Sequence, residues 1–511
     1  MNQEAVRATI EDRGAVRSPW AALAVLLLPV LLVSIDNTVL AFALPQISLA
    51  LEPGATQVLW MVDVYPLVLA GLLVPMGALA DRYGRRRMLL LGSVGFAAMS
   101  VVAAYAPTGE ALVAARAGLG VFGAMLMPST LSLIRALFTD RAQRRTAIAV
   151  WAAGFASGSA LGPIVGGFLL AQFWWGSVFL MAVPVLVLFL ALAPFVLPES
   201  RDPHGHPLDL WSAGLVLVSM LAIVYGIKTV AKGGVTGWGS TALVVGSVVI
   251  VVFVRRQLRL AHPMIDVRLF ATGPFSGAVL VNLLSVFSLI GFLFFVSQQL
   301  QLVHGFAPMR AGLMLLPGVL AMILAGLAVV PLVKRVRPVV VVCVALAASG
   351  AGYLVMALSA AGGSTTVGVG TIVVAFVLLA AGVGAAETVS NDLIVSAVPE
   401  ARAGAASAIS ETAYEVGTVL GTAILGTILT TTYSDRLRVP DGLSVAQAGA
   451  ARETLAGAVQ VTGELPAGMA DALMVAAQHA FGSGVAITSL IGVGLSAASV
   501  PLAALTLRRA R

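Results

Sequence analysis

Five carboxylates fall inside long apolar stretches of the chain: Asp36, Asp63, Glu387, Glu411 and Glu415. One base, Arg116, lies as clearly inside another. A charge at the centre of a bilayer costs at least ~2.5 kcal/mol, so each such residue is a candidate for function. Glu411 and Glu415 stand four apart and share one face of a helix. Two carboxylates this close in a low dielectric do not both ionise easily, so at least one holds a proton near neutral pH. A proton that leaves when a cation arrives is the core of an exchange reaction. At about 1.5 Å per residue, Asp36 lies roughly 12 Å and Arg116 roughly 9 Å from the outer ends of their stretches. These similar depths allow an Asp36–Arg116 pair. Asp63 is shallower and reads equally as a structural partner. Glu387, near the inner end of its stretch, reads equally as a solvated face.

Other chemistries find no residues. No G-x-x-x-x-G-K-[ST] run occurs, and the chain has three lysines, none of them behind a glycine. Nucleotide hydrolysis is therefore not expected, and the energy for any uphill step comes from an ion or solute gradient. No His, Asp and Glu group has metal-ligand spacing, and no nucleophile stands beside a base. The single cysteine, Cys343, allows neither an intrachain disulfide nor a thiolate cluster. No cofactor and no metal are expected, and the chain reads as no enzyme.

The elements that hold the acids are membrane helices. Of 511 residues, 59% are hydrophobic and 10% charged, against about 25% charged in a soluble protein. Mean hydropathy is +1.00. The apolar residues come in blocks of about 20, the span of a bilayer-crossing helix. The short alternating segments of a membrane barrel are absent. Fourteen spans are expected: 20–44, 58–80, 87–106, 110–134, 146–170, 176–197, 209–230, 239–256, 274–299, 309–333, 338–361, 367–390, 403–431 and 485–507. With the N-terminus inside, 23 of the 30 basic residues fall in inner segments. Five fall outside: Lys228, Lys232, Arg436, Arg438 and Arg452. That asymmetry places both termini in the cytoplasm. The first apolar run is too long for a cleavable signal. The net charge of +7 sits between the spans and is no nucleic-acid signal.

A weak internal repeat is present. Gly158-Ser159-Ala160-Leu161-Gly162 in span five matches Gly417-Thr418-Val419-Leu420-Gly421 in span thirteen. The basic loop Lys334-Arg335-Val336-Arg337 stands where Arg85-Arg86-Arg87 stands, again eight spans earlier. Two six-helix halves with two helices inserted between them follow, the architecture of secondary transporters. The expected division is an N-tail at 1–19, a first half at 20–200, the inserted helices at 201–270 and a second half at 271–511. A long outer segment at about 432–484 reads either as a loose loop or as short amphipathic helices forming a cap. In span five, Gly154, Gly158, Gly162 and Gly166 form a stripe that lets a helix approach closely. Pro163 removes one backbone bond there. The stripe reads as plain packing or as a seal between halves. The loop from Gly77 through Asp81, Arg82, Gly84 and Arg85 to Arg87 reads as a tight turn with a placed ion pair.

These features together resemble the major facilitator superfamily, and within it the fourteen-helix drug:proton antiporters. That group includes the quaternary-ammonium and fluoroquinolone efflux proteins of Gram-positive bacteria and mycobacteria. The resemblance is carried by Ile35-Asp36-Asn37-Thr38 to Pro45, Leu59-Trp60-Met61-Val62-Asp63 and the Gly77 to Arg87 loop. Arg116 with Gly120 and Gly123, the Gly158 to Gly167 run with Pro163, and Glu411-Thr412-Ala413-Tyr414-Glu415 complete it. The resemblance implies that Asp36 and the span-thirteen acids bind protons or cationic drug. It implies that the Asp81 loop gates the inner side, and that the glycine-proline run marks an antiporter. Some relatives carry an acid in span ten, and this chain has none in 309–333.

The expected function is proton-coupled export of amphipathic, mainly cationic drugs and dyes across a bacterial plasma membrane. Quaternary ammonium compounds, ethidium, acriflavine and fluoroquinolones are the expected classes. Asp36, Asp63, Arg116, Glu411 and Glu415 are the coupling residues. Phe42, Trp151, Phe155, Phe292, Phe295 and Tyr414 are candidate cavity residues, since aromatic faces attract organic cations. Gly77, Asp81, Arg82, Gly84 and Arg85, with Gly158, Gly162, Pro163, Gly166 and Gly167, are the gating residues. The partners are small cationic drugs, protons and lipid, with no nucleic acid, and the chain is expected to act as a monomer. The alternative is an exporter of an endogenous lipid or metabolite with incidental drug transport. A receptor would want a sizeable soluble domain, and a channel would need no proton-titrating pair.

Overall fold

A computed structural model of the chain describes residues 18–200, 209–233, 237–260, 263–361, 367–398 and 403–508. The expected basic N-tail lies outside these residues, as do Arg201 and Arg402. All the described regular elements are helices. In a bilayer every backbone N–H and C=O must bond within its own segment, and a helix does this.

In chain order the crossing helices are α1 (Pro19–Leu51), α2 (Ala55–Tyr83), α3 (Arg85–Ala104), α4 (Gly109–Leu137) and α5 (Arg141–Gln172). Then come α6 (Ser177–Val196), α7 (Leu210–Gly233), α8 (Trp238–Arg259), α9 (Gly273–Gln298) and α10 (Pro308–Leu332). The chain continues through α11 (Pro338–Ala361), α12 (Val369–Ser396) and α13 (Ala403–Leu420). A π-helical turn at Gly421–Gly426 carries α13 on into Thr427–Arg436. Two short helices follow, α14 (Val445–Glu453) and α15 (Leu455–Thr462), before the last crossing helix, α16 (Ala467–Leu507). Thirteen of these helices are long and apolar enough to span a membrane on those grounds alone. The other, α5, has basic first turns and an apolar outer part, Leu161–Gln172, and at 32 residues is long enough to cross.

Polar residues stop and start the helices where the apolar runs end. Ser18, Thr108 and Asp140 cap α1, α4 and α5 with their side-chain oxygens. Between α2 and α3 the chain turns within one residue, Gly84, at φ +113°. Only glycine takes that angle without strain.

Packing follows a two-fold repeat. α1 packs on α5 and α9 on α13; α2 packs on α4 and α10 on α12; α3 packs on α4 and α11 on α12. Each second pair is the first shifted by eight crossings. The halves meet where α5 touches α10 and where α2 touches α13, which are again equivalent pairs. The inserted helices α7 and α8 pack on each other, and α7 also leans on α2 and on the end of α13.

One end of the bundle carries Pro19 and Leu507 and is called here the terminal end. The opposite, loop end carries residues 437–466. There the last crossing helix starts earlier than the expected span 485–507: α16 runs for 41 residues and begins at Ala467. At about 1.5 Å per residue that helix is far longer than a bilayer is thick, and its first turns stand beyond it. Leu473, Ala477 and Phe481 on those turns are buried by the cap and by the end of α13. The cap is ordered. Ser444 and Gln447 form a capping box at the start of α14, and Tyr433 Oη donates to the Ala451 carbonyl at 2.8 Å. Gln460 Nε2 on α15 donates to Glu52, so the cap also touches the first half.

Candidate functional site

The Asp36 carboxylate on α1 meets the Arg116 guanidinium on α4 at 2.6 Å. Both side chains are almost wholly buried. Arg116 Nε also donates to the Met61 carbonyl at 3.2 Å, and the guanidinium lies 4.4 Å from the centre of the Tyr65 ring. A buried arginine persists only with such partners, because breaking one leaves an uncompensated charge. The pair thus ties α1, α2 and α4 together.

One residue along α1, Asn37 reaches across to the other half. Its Nδ2 donates to Glu415 Oε1 on α13 at 3.2 Å. Glu415 is 1% exposed, and its second oxygen, Oε2, has no hydrogen-bond partner. Tyr414 meets Phe155 of α5 edge to face at 5.3 Å, and Phe155 stacks on Trp151 at 6.3 Å. Val286 and Ile290 of α9 complete the apolar wall. Glu411 stands one turn toward the terminal end and is partly exposed. Among the described residues no ion pair includes Glu387, Glu411 or Glu415. The site is an aromatic wall at the junction of the halves, and the acid in it has no ion-pair partner among the described residues. A buried carboxyl oxygen without a donor is what a bound proton or cation would satisfy.

Asp63 is placed differently from the other acids. It is fully buried, and its Oδ2 lies 2.8 Å from Lys228 Nζ on the inserted helix α7. This corrects the sequence reading, which set Lys228 among the outer-side charges. Lys228 is only 4% exposed, and its ammonium lies 4.1 Å from the centre of the Trp60 ring. The signal was present as a lysine inside an apolar run, but its nearness to the span's edge made snorkelling the simpler reading.

The six aromatics divide. Trp151, Phe155 and Tyr414 stand at the acid site. Phe292 instead packs into a cluster within the second half, 5.0 Å from Phe295, 5.6 Å from Tyr353 and 5.8 Å from Phe376. Phe292 and Phe295 are wholly buried in that cluster, so neither ring faces an open cavity. Phe42 is also wholly buried, near the loop end, where its carbonyl accepts from Gln301 of the segment after α9 at 3.0 Å.

The glycine stripe packs within the first half. A Cβ on Gly154 would lie 2.8 Å from Leu27, one on Gly158 2.8 Å from Ser34, and one on Gly166 2.8 Å from Val39, all on α1. A Cβ on Gly162 would overlap the Thr38 hydroxyl. The contact between halves is made by the adjoining face. A Cβ on Gly167 would come within 2.9 Å of the Pro308 carbonyl, and one on Gly312 would press on the Pro163 carbonyl at 2.5 Å. The reason is helical phase: residues four apart share one face, and Pro163 and Gly167 lie on the next.

The loop after α2 also stays within the first half. Arg85 holds Asp81 at 2.8 Å and donates to Ser200 Oγ at 3.1 Å. Glu199 accepts from the Arg86 backbone at 3.2 Å and lies 3.7 Å from Arg87 Nε. A Cβ on Gly84 would meet Glu199 at 2.6 Å. Gly77 packs on Pro128, and the Arg82 guanidinium lies over the Tyr83 ring at 5.6 Å. Sequence reasoning missed Glu199, which is 112 or more residues away from its partners along the chain. It also missed the polar set Asn282, Ser410 and Asn391 beside Glu411, where Asn282 Nδ2 donates to Ser410 Oγ at 2.7 Å. These side chains are uncharged and lack the buried charge that singled out the acids.

Residues 26–422 match the family described as the Major Facilitator Superfamily. The chain is 53% identical to the multidrug efflux pump LfrA of Mycolicibacterium smegmatis, covering 96% of both chains. It is 36% identical to the methyl viologen resistance protein SmvA of Salmonella typhimurium, over 90% of this chain and 93% of that one. It is 33% identical to the tetracenomycin C resistance and export protein of Streptomyces glaucescens, over 95% and 91%. Among solved structures, a bacterial homologue of the human lysosomal transporter Spinster, inward-facing and unoccupied, superposes with a TM-score of 0.69 over 98% of this chain and 99% of that one. At 18% identity that likeness speaks for the fold alone. The repeat of helix pairs, the buried acids and these relatives agree: the chain belongs to the Major Facilitator Superfamily, and is a multi-pass membrane protein and a secondary transporter rather than an enzyme.

Proposed function

We propose that the chain is a proton-coupled exporter of amphipathic, mainly cationic drugs. The carrying observation is Glu415, buried in an aromatic wall between the halves, with one oxygen unpartnered and no ion pair among the described residues. A neutral, protonated Glu415 suits the apolar wall. Arrival of an organic cation among Tyr414, Phe155 and Trp151 favours the ionised form and expels the proton. Glu411, one turn away, gives a second carboxyl for a dication. The relative SmvA is a methyl viologen resistance protein, and methyl viologen is a flat dication, which suits such a pair.

The terminal end faces the cytoplasm in this reading, because the basic residues gather there. The contacts between halves support an arrangement sealed at the loop end. Asn37–Glu415 and Phe155–Tyr414 lie near the middle of their helices. Gly167–Pro308 and the Phe42–Gln301 bond lie nearer the loop end. Drug then enters the site from the cytoplasmic side, and rocking of the halves exposes it outside, where protons reload the acids.

The test is transport of ethidium and of methyl viologen in proteoliposomes under imposed pH gradients of both directions. Accumulation that follows the gradient, and methyl viologen transport that is lost in Glu415→Gln while some ethidium transport remains, is the expected result. Flux that ignores pH, or unchanged export of both compounds by Glu415→Gln, overturns the coupling role. It would move the reading to a lipid or metabolite exporter.

A further inference from the structure

We propose that Trp60, Asp63 and Thr422 form a binding site for a primary alkylammonium ion, and that the chain fills this site with its own Lys228. The site is separate from the wall around Glu415 and is built from three elements. Asp63 and Trp60 stand one turn apart on α2, Thr422 lies in the π-helical turn after α13, and Lys228 enters from α7. A carboxylate at 2.8 Å and an aromatic face at 4.1 Å are the two groups by which proteins recognise an organic ammonium. Thr422 is wholly buried where its turn packs on α2, and its hydroxyl has no hydrogen-bond partner among the described residues. The Lys228 ammonium thus occupies the position a ligand would take.

The seam around the site explains why α7 sits here. Trp60, Asp63, Leu67 and Gly71 make one face of α2, at helical spacing. Leu217, Leu221, Val224 and Lys228 make the opposing face of α7. Leu67 and Val224 are buried against each other with Val419 and Ala423 of α13, and a Cβ on Gly71 would lie 3.1 Å from Leu217. The lysine is the one charged group in an otherwise apolar strip. Two apolar residues at 63 and 228 would serve docking as well or better, because a buried ion pair is a weak device for stability. What docking does not require, the geometry supplies: a carboxylate and an aromatic face around one ammonium. The inserted helices reserve Asp63 for an internal ammonium as Arg116 holds Asp36, and leave Glu411 and Glu415 as the acids that meet an external cation.

Chemical rescue tests this without any transport assay. Lys228→Ala empties the site while Trp60, Asp63 and Thr422 stay. The purified variant in detergent should gain a saturable rise in melting temperature, at least about 2 °C, with n-propylammonium. Equal concentrations of n-propanol or sodium chloride should give none. The wild-type chain, with its site filled, should not respond, and neither should the neutral pair Asp63→Asn/Lys228→Met. If Lys228→Ala folds only when n-propylammonium is present during purification, that result also supports the site. The proposal is overturned if the rise is absent, if the wild type or the neutral pair shows the same rise, or if Lys228→Ala fails to fold with and without the ammonium while the neutral pair folds. A failed drug-transport experiment would leave this outcome unaffected, since only cation binding is read.

Discussion

The acids of the first half and the acids of α12 and α13 live under opposite rules. Asp36 and Asp63 each touch a base at under 3 Å, and each of those bases is also held over an aromatic ring. Among the described residues Glu387, Glu411 and Glu415 have no such partner, and Glu415 has one amide donor and one orphan oxygen. A paired carboxylate works as a tether between helices. An unpaired carboxylate in a dry wall changes charge when a proton or cation comes and goes. Under the proposed function the comparison assigns holding to one half and exchange to the other, although helix packing in the two halves repeats. The symmetry of the fold therefore stops at the backbone.

The comparison can be broken most directly at Glu415. Glu415→Gln is expected to lower pH-driven methyl viologen export by at least about 100-fold, or ~2.7 kcal/mol on the barrier, with the melting temperature in detergent little changed. A fall in stability instead of transport would make Glu415 a tether as well. At the other pole, Arg116→Ala leaves Asp36 buried and unpaired, and is expected to destabilise by about 3–5 kcal/mol. Asp36→Asn/Arg116→Met should recover most of that loss in thermal melting. Failure to recover would mean that Asp36 needs its charge and belongs with the exchanging acids. Gly162→Ala tests the stripe, because its methyl would overlap the Thr38 hydroxyl. A cost of about 1–3 kcal/mol is expected from forcing α1 and α5 apart. Since that seam lies inside one half, transport per folded molecule should survive. The smallest effect belongs to Glu199→Gln, about 1 kcal/mol or less, since Arg86 and Arg87 are partly solvated. Limited proteolysis between α2 and α3 should quicken in that variant.

Much of this was legible beforehand for simple reasons. Apolar blocks of bilayer length gave the crossings, and acids inside them stood out because desolvation is expensive. Asp36 and Arg116 could be matched by depth before any coordinates. Lys228 could not be matched, because a lysine near a span's end reads as snorkelling unless its partner on another helix is known. The glycine stripe announced a close contact but not which helix would make it, since spacing gives a face and no neighbour. At α14 and α15 the sequence left a loose loop and a helical cap as equal readings, and the early start of α16 escaped it. Their residues are alanine-rich and only weakly apolar, so a helix there is decided by the tertiary contacts of Leu473, Phe481 and Tyr433 rather than by local pattern.

The π-helical turn at Gly421–Gly426 has a consequence for how such chains change length. A π turn holds one residue more than the α-helical turn it replaces. It takes up that residue within a single continuous helix. Below it, Glu415 is aimed at the junction of the halves; above it, Leu429 and Tyr433 are aimed at α16 and the cap. Deleting one residue there would restore the ordinary repeat, and because one turn replaces one turn, everything beyond would keep its facing to within about 20°. Tyr433 would keep its aim at the Ala451 carbonyl. The same deletion in the α-helical stretch on either side would turn everything beyond by about 100° and carry Tyr433 off the cap. This turn is thus the place where the helix can change length by one residue and keep both the acid and the cap.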